Sequence, residues 1–65
     1  MRYKDISRIL SKNGWLIVRQ TGSHVQFKKD GFAFLATIPA HNSKDISIGV
    51  LKSLEKGTGL SFAKR

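Results

Sequence analysis

A Gly-Ser pair followed at once by an alternating polar and apolar segment constrains this chain more than any other feature. In the stretch Thr21–Phe27, Gly22 gives the backbone freedom that a tight reversal needs, and Ser23 can hydrogen-bond its own neighbouring backbone. His24 follows the pair directly. The pattern predicts a turn that leads straight into a β-strand.

Alternation in this strand assigns its side chains to two faces, because successive residues of a strand point in opposite directions. Val25 and Phe27 are expected on the buried face, and His24, Gln26 and Lys28 on the polar face. Histidine is the side chain whose charge ordinarily changes near neutral pH. The sequence therefore places a proton-exchanging group beside a turn, on the polar face of a sheet.

The length and the absence of cysteine limit how the chain can be stabilised. Its 65 residues predict a single domain over 1–65. A domain of this size buries only about 60% of the surface that its unfolded chain exposes, so a marginal stability is expected. Without cysteine, neither a disulfide nor a thiolate zinc site can staple it. A partner protein is therefore expected, and the lack of cysteine fits a cytoplasmic location.

Periodicity along the chain predicts an ordered series of elements. They are a helix at about 3–13, strands at about 15–21, 24–29 and 32–38, a helix at about 47–56, and a tail at 57–65. Short reversals between the strands favour an antiparallel three-stranded meander. We expect an α+β fold of order α-β-β-β-α, with both helices packed on one face of the sheet and the other face open.

Several local expectations accompany this layout. The apolar start of the first strand, 15–18, is expected to be more buried than its polar end. An Asp-Gly turn signal at 30–31 separates the second and third strands. Ser43 and Ser47 are both possible N-caps of the second helix, with Ser47 favoured, and Gly57 is expected to end that helix. Ile48 lies off the apolar stripe of the helix and is either an edge contact or a patch for a partner.

The charge balance narrows the choice of ligand. Twelve lysines and arginines against four acidic residues give a net charge of +8, spread along the whole chain. Such a surface favours nucleic acid first, an acidic partner second and an anionic membrane third. No apolar run approaches the length of a membrane span, so insertion into a membrane is not expected.

Few catalytic arrangements are compatible with the sequence. It has no Gly-rich phosphate loop, no close pair of carboxylates and no histidine cluster at metal-ligand spacing, so neither a cofactor nor a metal ion is expected. RNA demands less, because its 2′-hydroxyl is a built-in nucleophile beside the scissile phosphate. A histidine to move the proton and a cation to neutralise the phosphate then suffice. The composition therefore fits RNA cleavage better than DNA cleavage.

Each candidate residue also has an ordinary structural interpretation. His24 fits a surface histidine of a strand, and His41 fits a loop residue that caps a turn. Arg19, Lys28 and Lys29 form either a phosphate-binding cluster or a solvated strand edge. The residue patterns alone leave these alternatives open.

Motifs along nearly the whole chain resemble those of a known family. The most telling is Arg-Gln-Thr-Gly-Ser-His at Arg19–His24. It is preceded by Asn13–Trp15 and followed by Ile38–His41, Lys44–Ile46, Gly49–Leu54 and Gly59-Leu60. In this order the motifs resemble the HicA-type toxins, the small mRNA-cleaving members of HicA–HicB toxin–antitoxin pairs.

The resemblance implies a fold similar to the double-stranded-RNA-binding domain and an endoribonuclease whose catalytic residue is His24. It also implies a HicB-type antitoxin that covers the His24 face, in a toxin–antitoxin hetero-oligomer. His41 matches a family position and is an accessory candidate without an assigned role. The residues expected to contact mRNA are Gly22, Ser23, Gln26, Lys28, Arg19 and Lys29.

Two other functions compete with a toxin that cleaves mRNA. A non-catalytic module could recognise the shape of duplex RNA, although Ile46, Ile48 and Gly49 dilute the lysines that such a module carries at the start of its second helix. A small basic interaction protein would use its charge to bind an acidic partner instead.

Overall fold

The structure is a computed structural model that describes residues 1–40 and 45–62. These residues form two helices and a three-stranded antiparallel sheet. Their order is α1 (Tyr3–Lys12), β1 (Leu16–Thr21), β2 (His24–Lys28), β3 (Ala36–Pro39) and α2 (Ile48–Thr58). The strands lie in the order β1-β2-β3. This confirms the predicted α+β fold, with the layout of a double-stranded-RNA-binding domain.

The core lies between the helices and one face of the sheet. Val25 and Phe27 of β2 are fully buried, as the alternation predicted. They pack in one cluster with residues of the other elements, which include Ile6, Leu10, Ala36, Ile38, Leu51 and Leu54. The opposite face of β2 carries its polar residues. The sheet is thus covered on one side only.

The second helix begins where the sequence predicts but ends later. The Ser47 hydroxyl is the N-cap and accepts a hydrogen bond from the Val50 N–H at 3.3 Å. The prediction that Gly57 ends the helix is wrong, because α2 continues through Thr58 to Gly59, whose φ of 77° closes it. Thr58 is buried, and its hydroxyl donates a hydrogen bond to the Leu54 carbonyl at 2.6 Å. This bond explains why the helix extends past Gly57 to Thr58.

The third strand is shorter than predicted, because it begins at Ala36 rather than near Phe32. Phe32 and Phe34 instead pack against buried Trp15, with ring centroids 5.1 and 6.4 Å from the indole. Aromatic contacts of this kind stabilise by about 0.5–1.5 kcal/mol beyond area burial.

The predicted Asp30-Gly31 turn is present, because the Phe32 N–H donates a hydrogen bond to the Lys29 carbonyl at 3.1 Å and Gly31 has a φ of 90°. A loop anchored by the aromatic residues follows this turn, so β2 and β3 are not joined by a tight hairpin.

The first strand is exposed where the sequence predicts it to be buried. Trp15 just before it is buried, but Leu16, Ile17 and Val18 are exposed by 68%, 54% and 55%. Leu16 is exposed because it is paired with Lys28 and points to the open face. Ile17 and Val18 are exposed because β1 lies at the edge of the sheet that the buried cluster does not reach. A register shift between Ile17 and Arg19 also marks a bulge at Val18.

The segment after α2 folds back over the core. Phe62 is buried, and its N–H donates a hydrogen bond to the Glu55 carboxylate at 2.7 Å. Leu60 is partly buried against the same cluster. Both side chains therefore extend the core beyond the end of α2.

Candidate functional site

The turn between β1 and β2 consists of Gly22 and Ser23, because Thr21 is paired with His24. Gly22 has a φ of 58°, whereas no residue other than glycine has a positive φ in the described parts of the chain. A positive φ at the first central position alone has the sign pattern of a type II′ turn, which suits the twist of a hairpin. The Gly-Ser pair therefore sets the geometry that brings His24 to the surface.

The end of β3 is attached to this turn. Pro39 is the cross-strand partner of His24, and the Ala40 N–H donates a hydrogen bond to the Ser23 carbonyl. His24 thus lies between Thr21 on one side and Pro39 on the other. The backbone of His24 is fixed by pairing with a strand on each side, and its side chain is exposed to solvent.

The open face of the sheet collects the side chains that are paired with the polar positions of β2. Directly opposed residues of an antiparallel pair point to the same face. Gln26 is opposite Arg19 on β1 and Thr37 on β3, and Lys28 is opposite Leu16. His24, Gln26, Lys28 and Arg19, all predicted as site residues, therefore share one face.

Gln26 and Thr37 form a polar contact in the middle of this face. The amide Nε2 of Gln26 donates to the Thr37 hydroxyl at 3.5 Å, which is a long hydrogen bond. Thr37 itself is exposed. The sequence-based assignment missed Thr37 and Thr21, although the alternation against the buried Ile38 was a signal for Thr37.

Positive charge on the open face is available for an anion. Arg19 and Lys28 are both exposed, and within residues 1–40 and 45–62 neither forms an ion pair. Arg19 lies nearer to His24 than Lys28 does, because its cross-strand partner Gln26 is only two positions from His24. Lys28 is four positions away, about 13 Å along an extended strand.

Lys29 is separated from the other predicted contacts. Its ammonium lies 5.4 Å from the centre of the Phe32 ring, at the end of the sheet opposite the turn. A Cβ added to Gly14 would also lie 3.3 Å from the Lys29 side chain. A cation over an aromatic face is held there by the ring quadrupole. Lys29 therefore supports the loop after β2.

Sequence comparison identifies the family of this chain. A sequence model of the family described as "HicA toxin of bacterial toxin-antitoxin" matches residues 3–60, a range that includes both helices and all three strands. The chain belongs to the HicA toxin family. It is accordingly a toxin of a toxin–antitoxin pair. No curated protein sequence matches it.

The accessory candidate of this HicA-family toxin, His41, the alternative N-cap Ser43 and the motif residue Lys44 lie outside the described residues. Among the residues that the structure describes, no three histidines or acidic residues come together in a way that could hold a metal ion. Neither α1 nor α2 is long and apolar enough to cross a membrane.

Proposed function

We propose that this toxin is an endoribonuclease that cleaves mRNA without a metal ion, with His24 as its catalytic residue. The observation that supports this most is the exposed imidazole beside the Gly22-Ser23 turn, on a sheet face that the helices leave uncovered. Arg19 adds an unpaired positive charge to that face. A ribose and its phosphate can approach this surface without displacing any part of the core.

The proposed reaction is attack by the 2′-hydroxyl on the adjacent phosphate. His24 removes the 2′-hydroxyl proton, or protonates the departing 5′-oxygen, as the new O–P bond forms and the 5′-O–P bond breaks. The products are a 2′,3′-cyclic phosphate and a 5′-hydroxyl. With one imidazole for two proton transfers, water or the RNA itself supplies the other, so turnover is expected to be slow.

Binding of the RNA backbone is assigned to the same face. Arg19 neutralises the charge that builds on the phosphate, and Lys28 holds a more distant phosphate. Gln26 and Thr37 offer hydrogen-bonding groups between these positions, and the backbone N–H groups of the turn add donors near His24. The mRNA would thus run along the open face of β2.

Regulation in this proposal is by occlusion. A HicB-type antitoxin covers the His24 face and forms a hetero-oligomer with the toxin in the cytoplasm. The +8 net charge gives an acidic antitoxin and mRNA competing access to the same surface.

The test is a comparison of the natural protein with His24→Ala on a transcribed mRNA in the presence of EDTA. The variant is expected to keep its circular dichroism spectrum and its RNA affinity and to lose cleavage. A substrate with a single 2′-deoxynucleotide at the cleaved position should also resist the natural protein. Equal activity of the alanine variant, or activity that EDTA abolishes, would refute the proposal.

The alternative of a non-catalytic duplex-binding module has less support. The first residues of α2 and its cap, Ser47, Ile48 and Gly49, are exposed and uncharged. A module that reads duplex RNA by shape needs phosphate contacts from such a helix. Duplex RNA that is bound but never cut, even by excess protein, would favour this alternative.

A further inference from the structure

Consecutive aliphatic side chains are exposed on β1, one of the two edge strands of the sheet. Leu16, Ile17 and Val18 each expose more than half of their surface. β1 pairs only with β2, so its outer backbone groups have no strand partner within the described residues. Single exposed aliphatic residues are ordinary, but three consecutive ones on both faces of an unpaired strand edge are typical of an interaction surface. We call residues 16–18 the β1 edge.

The surroundings of the β1 edge are basic. Leu16 and Val18 line a groove with Gly14, Lys28, Lys29 and Asp30. Arg19 follows directly in the strand. The groove is therefore lined by two cations and one carboxylate, and Arg19 adds a third cation beside it along the strand. The bulge at Val18 directs this side chain toward the groove that Leu16 also lines.

These features select among the possible occupants. RNA is disfavoured, because aliphatic side chains offer neither a positive charge nor an aromatic face for stacking. A second copy of the chain is disfavoured, because pairing two β1 edges would bring their cations together. An acidic polypeptide strand fits the edge and its basic surroundings. Its backbone pairs with β1, its apolar side chains cover the aliphatic residues, and its carboxylates pair with the nearby cations.

We propose that the β1 edge is the docking site for an acidic strand of the antitoxin of this toxin's own pair. The inference rests on the proposed function in one respect, namely that the antitoxin acts by covering the open face. Leu16 and Arg19 lie on that face, so a strand added beside β1 brings its chain next to the surface that contains His24. Pairing at the β1 edge then provides the affinity for the antitoxin. Inhibition of cleavage follows because the bound antitoxin covers the neighbouring open face.

The experiment compares Val18→Lys with Ile48→Lys in the full-length toxin. Both positions are exposed aliphatic residues, at 55% and 63%, and both substitutions add one positive charge. Val18→Lys removes an aliphatic side chain that the docked strand covers and places an ammonium group beneath that strand, where it loses its hydration. A lysine on an edge strand therefore opposes the addition of another strand, and this loss outweighs its attraction to a carboxylate. Val18→Lys is expected to weaken binding to the co-purified antitoxin at least about tenfold in Kd. Ile48→Lys should bind the antitoxin like the natural protein.

Further measurements distinguish the possible failures. Cleavage of mRNA by the free variants tests the proposed activity separately, and both variants should cleave normally. Hydrogen exchange should show that the antitoxin protects backbone amides of residues 16–21. Thermal melting confirms that each variant is folded.

The proposal is overturned if Val18→Lys binds the antitoxin with unchanged affinity, or if both variants lose it equally. It is also overturned if Val18→Lys impairs RNA cleavage and spares antitoxin binding, which would assign the edge to RNA. A concentration-dependent dimer of the free toxin that Val18→Lys dissociates would assign the edge to a second copy.

Discussion

Gly57 of α2 lies directly against the ring of Phe34. A Cβ added at position 57 would be 2.5 Å from three carbon atoms of that ring, closer than real Cβ contacts come. Phe34 in turn packs edge-on against Trp15, with 6.4 Å between the ring centroids. The missing side chain of Gly57 is therefore what lets the helix and the loop after β2 pack together.

Gly57→Ala is expected to destabilise the protein, although alanine is the better helix former. The methyl group must displace Phe34 from Trp15, and overpacking of this kind costs about 1–3 kcal/mol. The gain in helix propensity offsets at most about 1 kcal/mol. Urea denaturation measures the difference. Gly49→Ala is the control, because nothing lies within 4 Å of its added Cβ, and it should leave stability unchanged or raise it. Equal stabilisation by both substitutions would contradict this account.

Gly22→Ala is expected to reduce cleavage by disturbing the turn before His24. The φ of 58° is unfavourable for an L-residue, with a cost of about 1–2 kcal/mol. The added methyl group meets no atom within 4 Å, so the backbone and not a clash is responsible. Chemical synthesis with D-alanine at position 22 is the matched control, because a D-residue adopts a positive φ without strain. If both alanines impair cleavage equally, the conformation of the turn is not the cause.

Arg19→Ala is expected to weaken RNA binding and slow cleavage more than Lys52→Ala does. Both variants lose one positive charge, but Lys52 lies on α2, on the covered side of the sheet. A single lost phosphate contact should reduce the salt dependence of log K by about 0.7 per log unit of salt for single-stranded RNA. Filter binding at several salt concentrations measures this slope. Identical slopes for the two variants would show that Arg19 makes no specific phosphate contact.

Ser47→Ala is expected to lower the free energy of unfolding by about 0.5–2 kcal/mol, because the Val50 N–H loses its capping oxygen. Ser53→Ala on an exposed position of the same helix is the control and should be nearly neutral. Thermal denaturation of both variants gives the comparison. A Ser53→Ala variant that is as unstable as Ser47→Ala would remove the cap as the explanation.

Local patterns predicted the parts of the fold that depend on neighbours in sequence. The alternation through Val25 and Phe27, the cap at Ser47 and the burial of Trp15 are all confirmed. The same alternation placed His24 and Gln26 on one face. These features follow from the period of a strand or a helix and need no knowledge of distant residues.

Contacts between distant residues account for the predictions that failed. The apolar run at 16–18 fits a buried strand by composition, but burial depends on which strands the helices cover, and β1 lies at the edge. The late start of β3 depends on Trp15 and Gly57, which are far from Phe34 in sequence. The contact of Lys29 with the Phe32 ring likewise depends on Trp15, which packs against Phe32 and is distant from it in sequence.

The two edges of the sheet differ in a way that limits how the toxin can associate. β3 is four residues long and ends in Pro39, which has no N–H to give to a further strand, whereas β1 contains no proline. A ribbon of unlimited length forms only if both edges of each sheet pair with a neighbouring molecule. Because Pro39 opposes pairing at the end of β3 beside His24, side-by-side association of sheets is favoured at β1 and an endless ribbon of toxin molecules is disfavoured.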